Sequence, residues 1–157
     1  MLKIGDNVVC PMHGAGTISD IIEDEIVGES IKCYRIVLPC NDLIIQLPVT
    51  EGEELGIRRI ISPDEIEKVF AVLKDSSDEM CSNWNRRFRE NTEKLQTGDI
   101  YIVATVVRDL VRNNRIKKLS IGESKLLANA KQILESELIL AGGYTPEEAD
   151  ELVENYI

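Results

Sequence analysis

The closest pairing of a thiol with an imidazole in this sequence is Cys10 with His13, three residues apart across Pro11. A cysteine nucleophile needs an adjacent base, and His13 is the only histidine in the chain. This spacing does not by itself turn the thiol toward the imidazole, and the surrounding "PMHGAG" is typical of a turn. The same glycines are not followed by a helix start or a lysine, as a phosphate loop requires. We therefore expect a turn here, and the sequence predicts no enzyme.

Two carboxylate runs, "EDE" at 23–25 and "EGEE" at 51–54, have the residue types for acid–base chemistry or for a divalent cation. Both fall in segments that we predict as turns, "EDEIVGES" and "TEGEELG", where solvation is the ordinary reason for such charges. The four cysteines include no C-x-x-C pair, so neither zinc nor a disulfide framework is indicated. We expect reduced, mostly buried thiols, no metal and no cofactor. The cysteines are Cys10, Cys33, Cys40 and Cys81.

The stretch "SNWNRRFRENTEKL", residues 82–95, combines the only tryptophan with a cluster of arginines. If the helix begins at Trp84, Phe88 and Leu95 continue along the tryptophan's side. Such a tryptophan is either an ordinary core residue or an exposed ring that stacks on a partner, and an adjacent arginine cluster suits nucleic acid. The candidate DNA-binding residues are Trp84, Arg86, Arg87, Arg89, Lys117, Lys118 and Lys125. Arg108, Arg112 and Arg115 either extend this face or are simply solvated.

The charge of the chain is strongly uneven. The formal net charge is -10, yet residues 84–131 carry 11 Lys and Arg against 5 Asp and Glu, a local charge of +6. The remaining residues carry 7 basic and 23 acidic side chains, a charge of -16. This asymmetry indicates one cationic face on an anionic body, which argues against a free-standing nucleic-acid binder.

Two regions must position these residues, and their boundary lies near residue 61. Up to that point, β-branched runs such as "NVV", "GTISDII", "YRIVL" and "LIIQLPV" alternate with turn residues. About five short strands in some 60 residues favour a small barrel over a two-sheet sandwich. The sequence thus predicts an α+β protein, with a β module at 1–61 and a helical region at 62–157.

The helical region contains five predicted helices. "SPDE" starts the first at Ser62, with Ile66, Val69, Phe70 and Leu73 at helical spacing. The second is predicted at about 84–96. The third begins after Thr97 and includes "YIVATVV", where a period of 3.6 favours helix over strand. A capping box at Ser120 and Glu123 opens the fourth, which ends at "GG", and Thr145 caps the last.

The chain has no apolar run long enough to span a membrane, and its start, "MLKIGDNVV", lacks the pattern of a signal peptide. The expected location is the cytoplasm, without membrane association.

Several segments in order along the chain together resemble one family. They are "IGDNVVCPMHGAGTI", "LPV", "GIRRIIS", "NWNRRF", "KLQTGDI", "VVRDLVRN", "KLSIGESKLLANAKQIL" and "ESELILA". This series is similar to that of the CarD/CdnL-type bacterial transcription regulators, and it covers nearly the whole chain.

The resemblance implies that the β module is a Tudor-like, SH3-like barrel that binds the β subunit of RNA polymerase by strand pairing. The implied contact strand is 43–47. Asp24 and Gln46 stand where members often carry basic residues facing polymerase. Either the cognate surface differs in charge, or docking relies on strand pairing and apolar contact. The implied polymerase-binding residues are Asp24, Leu43, Ile44, Ile45, Gln46 and Leu47.

The resemblance also implies that the helical region contacts promoter DNA without strong sequence specificity, at the upstream edge of the transcription bubble. Trp84 would act as a minor-groove wedge, with Arg86 and Arg89 against the backbone. A regulator of this kind is non-enzymatic and stabilises the open complex. We separately expect this protein to be a monomer in solution. The alternative is a protein–protein adaptor that binds polymerase through the barrel, with no DNA contact and with Trp84 in the helical core.

Overall fold

The computed structural model describes residues 2–39 and 42–157. The chain first forms a five-stranded antiparallel sheet, with one short helix inserted before its last strand, and then a helical region. The strands are β1 (Asn7–Cys10), β2 (Gly14–Ile26), β3 (Glu29–Leu38), β4 (Leu43–Pro48) and β5 (Arg58–Arg59). The helices are α1 (Val49–Glu54), α2 (Ile66–Lys74, after a 3₁₀ turn at Pro63–Glu65), α3 (Trp84–Gln96), α4 (Ile100–Ile116), α5 (Ile121–Gly142) and α6 (Pro146–Tyr156). The predicted α+β class, with a small β module and five following helices, is confirmed.

The sheet has the strand order β4-β3-β2-β1-β5. Alternation along the strands separates an inner face from an outer one, because side chains in a strand point to opposite sides. Leu38, Ile36 and Tyr34 on β3 are paired with Leu43, Ile45 and Leu47 on β4. Within the described residues β4 pairs only with β3, so its other edge remains open. The buried core of the sheet consists of Val8, Cys10, Ile18, Tyr34, Ile36 and Leu38.

Two predicted turns were wrong. "EDEIVGES" is mostly strand. The β2 strand continues to Ile26, a two-residue turn of Val27 and Gly28 follows, and β3 begins at Glu29. Both turn residues have positive φ, 53° and 79°, which matches a hairpin turn that follows the twist of the strands. The acidic run 23–25 therefore lies on a paired strand and not in a loop.

The other wrongly predicted turn, "TEGEELG", is mostly helical, because α1 begins at the preceding Val49, which packs against the sheet core, and continues to Glu54. A Cβ on Gly52 would lie 3.5 Å from the ring of Tyr34, so the helix passes close over the sheet. Tertiary packing thus overrides the turn preference of glycine in this segment.

The predicted helix starts are confirmed, and "YIVATVV" is helical as the 3.6 period indicated. Asn83 and Asp99 are N-caps that the sequence reading did not single out, accepting hydrogen bonds from Arg86 N–H at 3.1 Å and Tyr101 N–H at 2.8 Å. The α5 helix is capped at its C-terminus by Gly143, which has the left-handed conformation, φ 69°. The apolar positions predicted on α2, Ile66, Val69, Phe70 and Leu73, are all buried.

The two regions are joined through α5, which packs against β2. Ala15 N–H on β2 donates to Ser136 Oγ on α5 at 2.8 Å. A Cβ on the preceding Gly14, whose φ is 102°, would lie only 2.7 Å from that hydroxyl oxygen, so this approach requires glycine. An ion pair between Arg58 and Glu137 crosses the same junction.

Candidate nucleic-acid interface and sheet edge

Trp84 is the first residue of α3 and is neither buried in the core nor free on the surface. The Asn83 N-cap fixes the start of α3 and therefore the position of Trp84. The indole stacks on Phe88, with ring centroids 5.2 Å apart and an interplanar angle of 16°. Its Nε1–H donates to Ser120 Oγ at 3.0 Å, and 41% of the residue remains exposed. The ring is therefore held from one side and presented on the other.

The start of α5 supports the indole. Ser120 Oγ accepts from both Trp84 Nε1–H and, at 3.2 Å, Glu123 N–H, so one hydroxyl caps the helix and orients the ring. A Cβ on Gly122 would lie 3.2 Å from Trp84 Cζ2, tighter than an ordinary van der Waals contact. The position of Trp84 thus depends on contacts with α5 as well as with its own helix. The spacing of residues along the chain did not predict these contacts.

The guanidinium of Arg87 forms hydrogen bonds to groups outside its own helix. Its Nη2 and Nε donate to Glu123 Oε1 and Oε2 at 2.7 Å and 3.1 Å, and Nη1 donates to Cys81 O at 3.2 Å. The Glu123 side chain is only 4% exposed. The hydrogen bond to Glu123 raises the pKa of Arg87. The predicted capping box is thus only half formed, since the Glu123 carboxylate pairs with Arg87. We assign Arg87 to joining α3 and α5 through Glu123.

The other predicted cations near Trp84 are exposed. Arg86 pairs with Glu90 at 2.9 Å within α3, and its side chain is 63% exposed. The hydrogen bond to Glu90 is the main cause of its raised pKa. Four further cations have no ion-pair partner in the part of the chain that the structure describes. They are Arg89, Lys117, Lys118 and Lys125.

A groove of about 570 Å³ lies between Trp84 and the loop that connects α4 and α5. Ile116 is 87% exposed and lines it, and Ile121, 79% exposed, lies at the start of α5. The sequence reading did not single out these two apolar residues, because neither interrupts a helical pattern. The groove is lined by Trp84, Arg87, Asn113, Ile116, Lys117, Lys118, Leu119, Ser120 and Glu123.

The three arginines farther from Trp84 form hydrogen bonds to partners within the protein. Arg108 is buried and pairs with Asp109 at 2.7 Å. Arg112 donates to Asp75 O and Leu73 O at the end of α2, at 2.6 Å and 3.1 Å. The guanidinium of Arg115 donates to Ile157 O at 3.0 Å. Arg108 and Arg112 are therefore used within the protein, whereas the side chain of Arg115 remains 49% exposed.

The second candidate surface is the edge of the sheet along β4. Leu43 and Ile44 are 40% and 53% exposed. Gln46 Nε2–H donates to Asp24 Oδ2 at 2.8 Å, which brings together two of the predicted polymerase-binding residues on the outer face. Ile45 and Leu47 are half-buried on the inner face. All six predicted residues therefore lie on β4 or directly against it.

The residues considered for catalysis form a turn. His13 N–H donates to Cys10 O at 3.0 Å. Burial raises the pKa of the Cys10 thiol to about 11, which disfavours the thiolate. Cys33 is also buried and Cys81 is half-buried, while Cys40 lies outside the described residues. Across residues 2–39 and 42–157 no group of three or more His, Cys, Asp or Glu side chains is placed to hold a metal ion.

Comparison with known sequences relates both regions to one family. Residues 2–61 match the profile described as "CarD-like/TRCF RID domain", and residues 68–154 match "CarD, C-terminal domain". The chain belongs to the CarD family. It is also 34% identical over 145 residues to the "Putative transcription factor YdeB" of Bacillus subtilis (strain 168), an alignment that covers 92% of this chain and 95% of that protein.

Membership of the CarD family confirms the resemblance drawn from the sequence and makes the protein a transcription regulator. CarD proteins form a transcription-factor family and not an enzyme family. The match to the RID domain indicates interaction with RNA polymerase. No helix in the part of the chain that the structure describes is long and apolar enough to cross a membrane.

Proposed function

We propose that this CarD-family protein docks on the β subunit of RNA polymerase through β4 and holds Trp84 against promoter DNA at the upstream edge of the bubble. It thereby stabilises the open complex, acting as a monomer and without catalysis. The sheet provides the attachment, and the tip formed by α3 and the α4–α5 loop provides the DNA contact.

The observation that carries this proposal is the state of Trp84. A core tryptophan would be buried, whereas this residue is 41% exposed, its ring stacks on Phe88, and its Nε1–H donates to Ser120 Oγ. A rigid, pre-oriented aromatic loses little conformational freedom on stacking. Stacking on a base contributes about 1 to 3 kcal/mol, and about 1.4 kcal/mol changes an equilibrium tenfold. One such contact suffices to shift a reversible open complex.

The exposed cations around the ring support a backbone contact. Arg89, Lys117, Lys118 and Lys125 have no ion-pair partner among the described residues, so a phosphate does not have to displace an internal carboxylate. Contacts of Arg and Lys with phosphates hold a protein on the duplex but carry no sequence information themselves. Little direct sequence specificity is therefore expected.

Docking on polymerase explains how an acidic protein uses a cationic tip. At a net charge of -10, long-range repulsion opposes binding to free duplex DNA. Attachment to polymerase raises the effective concentration of the tip near DNA, so that a few contacts suffice. This requires a firm connection between the sheet and the helices.

The junction between the two regions supplies such a connection. Arg58 on β5 donates to both oxygens of Glu137 on α5, at 2.7 Å and 2.8 Å, and to Gly98 O at 2.8 Å. Glu137 Oε2 also accepts from Ile61 N–H at 2.9 Å, in the segment that links the regions. Glu137 is 2% exposed in its side chain, so these bonds are shielded from water. A movement of the sheet is therefore transmitted to the helices.

Promoter DNA carrying 2-aminopurine tests the position of Trp84. The probe is placed at successive positions across the upstream bubble edge in complexes of the cognate polymerase. Because the fluorescence of 2-aminopurine depends on stacking, wild-type protein is expected to change the signal at one or two positions, and Trp84→Ala to leave it unchanged. Trp84→Phe serves as the matched variant that keeps an aromatic ring. Equal signals with wild type and Trp84→Ala at every position would refute the DNA contact.

A protein–protein adaptor is the second candidate, and the exposure of Ile116 and Ile121 favours it. Two large apolar side chains beside a groove suit a protein surface as well as a nucleic acid. An adaptor would leave the 2-aminopurine signals unchanged, while Ile116→Glu would abolish recruitment of the partner. A response to Trp84→Ala on polymerase and DNA alone would rule out a pure adaptor.

A further inference from the structure

The open edge of β4 lacks the features that usually prevent strand addition. Exposed edge strands commonly carry charged residues, a proline in the middle or a bulge. The sequence of β4, "LIIQLP", has no charge, its proline is the last residue, and its pairing with β3 is regular. The edge at 43–47 can therefore accept an extended segment over its full length.

An apolar pocket of about 310 Å³ lies against the inner face of this strand. Ile45 and Leu47 form one wall, while Cys10, Leu55 and Ile57 contribute apolar surface from other elements. Leu55 lines the pocket although it is 54% exposed, so the pocket is open to solvent there. Its size suits one bulky apolar side chain.

The geometry of strand pairing relates the pocket to the edge. Residues directly opposite each other on paired strands have Cβ atoms about 4.5 to 5.5 Å apart, and alternate residues share a face. Every second side chain of an added strand would therefore lie on the inner face, beside Ile45 or Leu47. A large apolar side chain at that position enters the pocket, and its neighbours along the chain face outward.

The outer face beside the edge carries both signs of charge, with Asp24 on β2 and the exposed Arg35 opposite Gln46 on β3. Asp24 is exposed, and its carboxylate lies over β4 because Oδ2 accepts from Gln46 Nε2–H at 2.8 Å. Asp24 forms no ion pair with any described residue. Glu23 and Glu25, its neighbours along β2, point to the opposite face of the strand, so Asp24 is the carboxylate of this run that faces Gln46. A cation on the outward side of an added strand would complete this arrangement.

We propose that the polymerase strand bound at β4 presents a large apolar residue to the pocket and, at an adjacent outward position, a Lys or Arg to Asp24. This inference rests on the proposed docking through β4 and adds which side chains the polymerase strand must carry. The pocket selects by size and apolarity, and Asp24 selects by charge, so the protein discriminates among polymerase surfaces.

Binding of the full-length protein to the cognate RNA polymerase holoenzyme tests this, with paired variants. Leu55→Glu places a charge at the pocket, and its control is Ile4→Glu, an apolar residue 60% exposed that does not line it. Asp24→Lys reverses the charge beside the edge, and its control is Glu67→Lys, an exposed position on α2. We expect each test variant to bind about tenfold more weakly, about 1.4 kcal/mol, and each control to bind like wild type.

The outcomes separate this inference from the docking itself. If wild type binds and Leu55→Glu matches Ile4→Glu, the pocket claim is overturned while docking stands. If Asp24→Lys matches Glu67→Lys, the requirement for a cation is overturned in the same way. If wild type does not bind the holoenzyme, the proposed function and this inference both fail.

Discussion

At the scale of single residues, neighbouring arginines have opposite tasks. Arg87 is locked to a Glu123 side chain that is 4% exposed, whereas Arg89 is exposed and without an ion-pair partner in the described chain. The sequence shows the same residue type at both positions. Only the position of α5, distant along the chain, decides which one is structural.

Replacing each arginine by alanine separates these tasks. Arg87→Ala leaves a buried carboxylate unpaired, so we expect the free energy of unfolding to fall by about 3 kcal/mol. Arg89→Ala should leave unfolding within about 0.5 kcal/mol of wild type and should weaken the salt-dependent DNA contact in the polymerase complex. Urea denaturation measures the first effect and titration of the complex with salt the second. A stable Arg87→Ala protein would contradict the assignment.

Ser120→Ala should loosen the indole as well as the helix. The variant removes the acceptor for Trp84 Nε1–H and the N-cap of α5, and we expect a loss of about 1 kcal/mol in stability. Acrylamide should quench Trp84 fluorescence more strongly than in wild type, because the ring is less restrained. Ser124→Ala, at an exposed position on the same helix, is the control. Unchanged quenching would show that Ser120 does not orient the ring.

At the scale of elements, capping chemistry made the helical region predictable. Ser62, Ser120 and Thr145 mark helix starts by local hydrogen bonding, and local rules of this kind are readable from a single chain. The extent of β2 and the presence of α1 were not readable, because both depend on tertiary pairing with β3. The support of Trp84 by Ser120 was hidden for the same reason, since it joins residues 36 positions apart.

The contact between α5 and α6 contains a carboxyl pair that responds to pH. Burial, followed by the hydrogen bond to Asp150, raises the pKa of Glu135 to about 8. Hydrogen bonds from Lys131 and then Glu135 lower the pKa of Asp150. Lys131 pairs with Asp150 at 2.8 Å and Glu154 at 2.7 Å, so the whole cluster joins the two helices. At neutral pH the Glu135 carboxyl therefore keeps its proton and donates a hydrogen bond to the Asp150 carboxylate.

The Glu135→Gln variant isolates this titration. The pKa of Glu135 is 4.5 in the unfolded chain and about 8 in the folded protein, so the folded state binds this proton more tightly. The stability that the bound proton contributes is complete below pH 4.5 and is lost as the pH rises through about 8. Wild type should therefore lose stability between pH 6 and pH 9 (roughly one unit or more to either side of the raised pKa) relative to Glu135→Gln. Urea denaturation at the two pH values measures the difference. Parallel behaviour of the two proteins would contradict the proton assignment.

At the scale of the whole molecule, the Arg58–Glu137 ion pair is one of the contacts that join the two regions. Glu137→Gln weakens the pair and the bond to Ile61 N–H. We expect a loss of about 2 kcal/mol, less than for a fully buried pair because Arg58 is 31% exposed. Exchange of the Ile61 amide hydrogen should accelerate, and affinity for polymerase should be retained. Unchanged exchange would show that the pair does not hold the linking segment.

The charge distribution also belongs to this scale. The net charge of -10 and the cationic stretch at 84–131 can both be read from the sequence. Together they predict that the protein contacts DNA only when it is bound to a partner. The structure adds that five cations of the predicted set, Arg86, Arg89, Lys117, Lys118 and Lys125, are exposed. The tip is thus less basic than the count alone indicated, because Arg87, Arg108 and Arg112 are used internally.

The lifetime of the promoter open complex tests the central claim most directly. Complexes of the cognate polymerase would be challenged with a competitor after formation without the protein, with wild type, and with Trp84→Ala. The account predicts a longer lifetime with wild type and a return to the protein-free value with Trp84→Ala, while binding to polymerase is unchanged. A Trp84→Ala protein that prolongs the lifetime as much as wild type would contradict it.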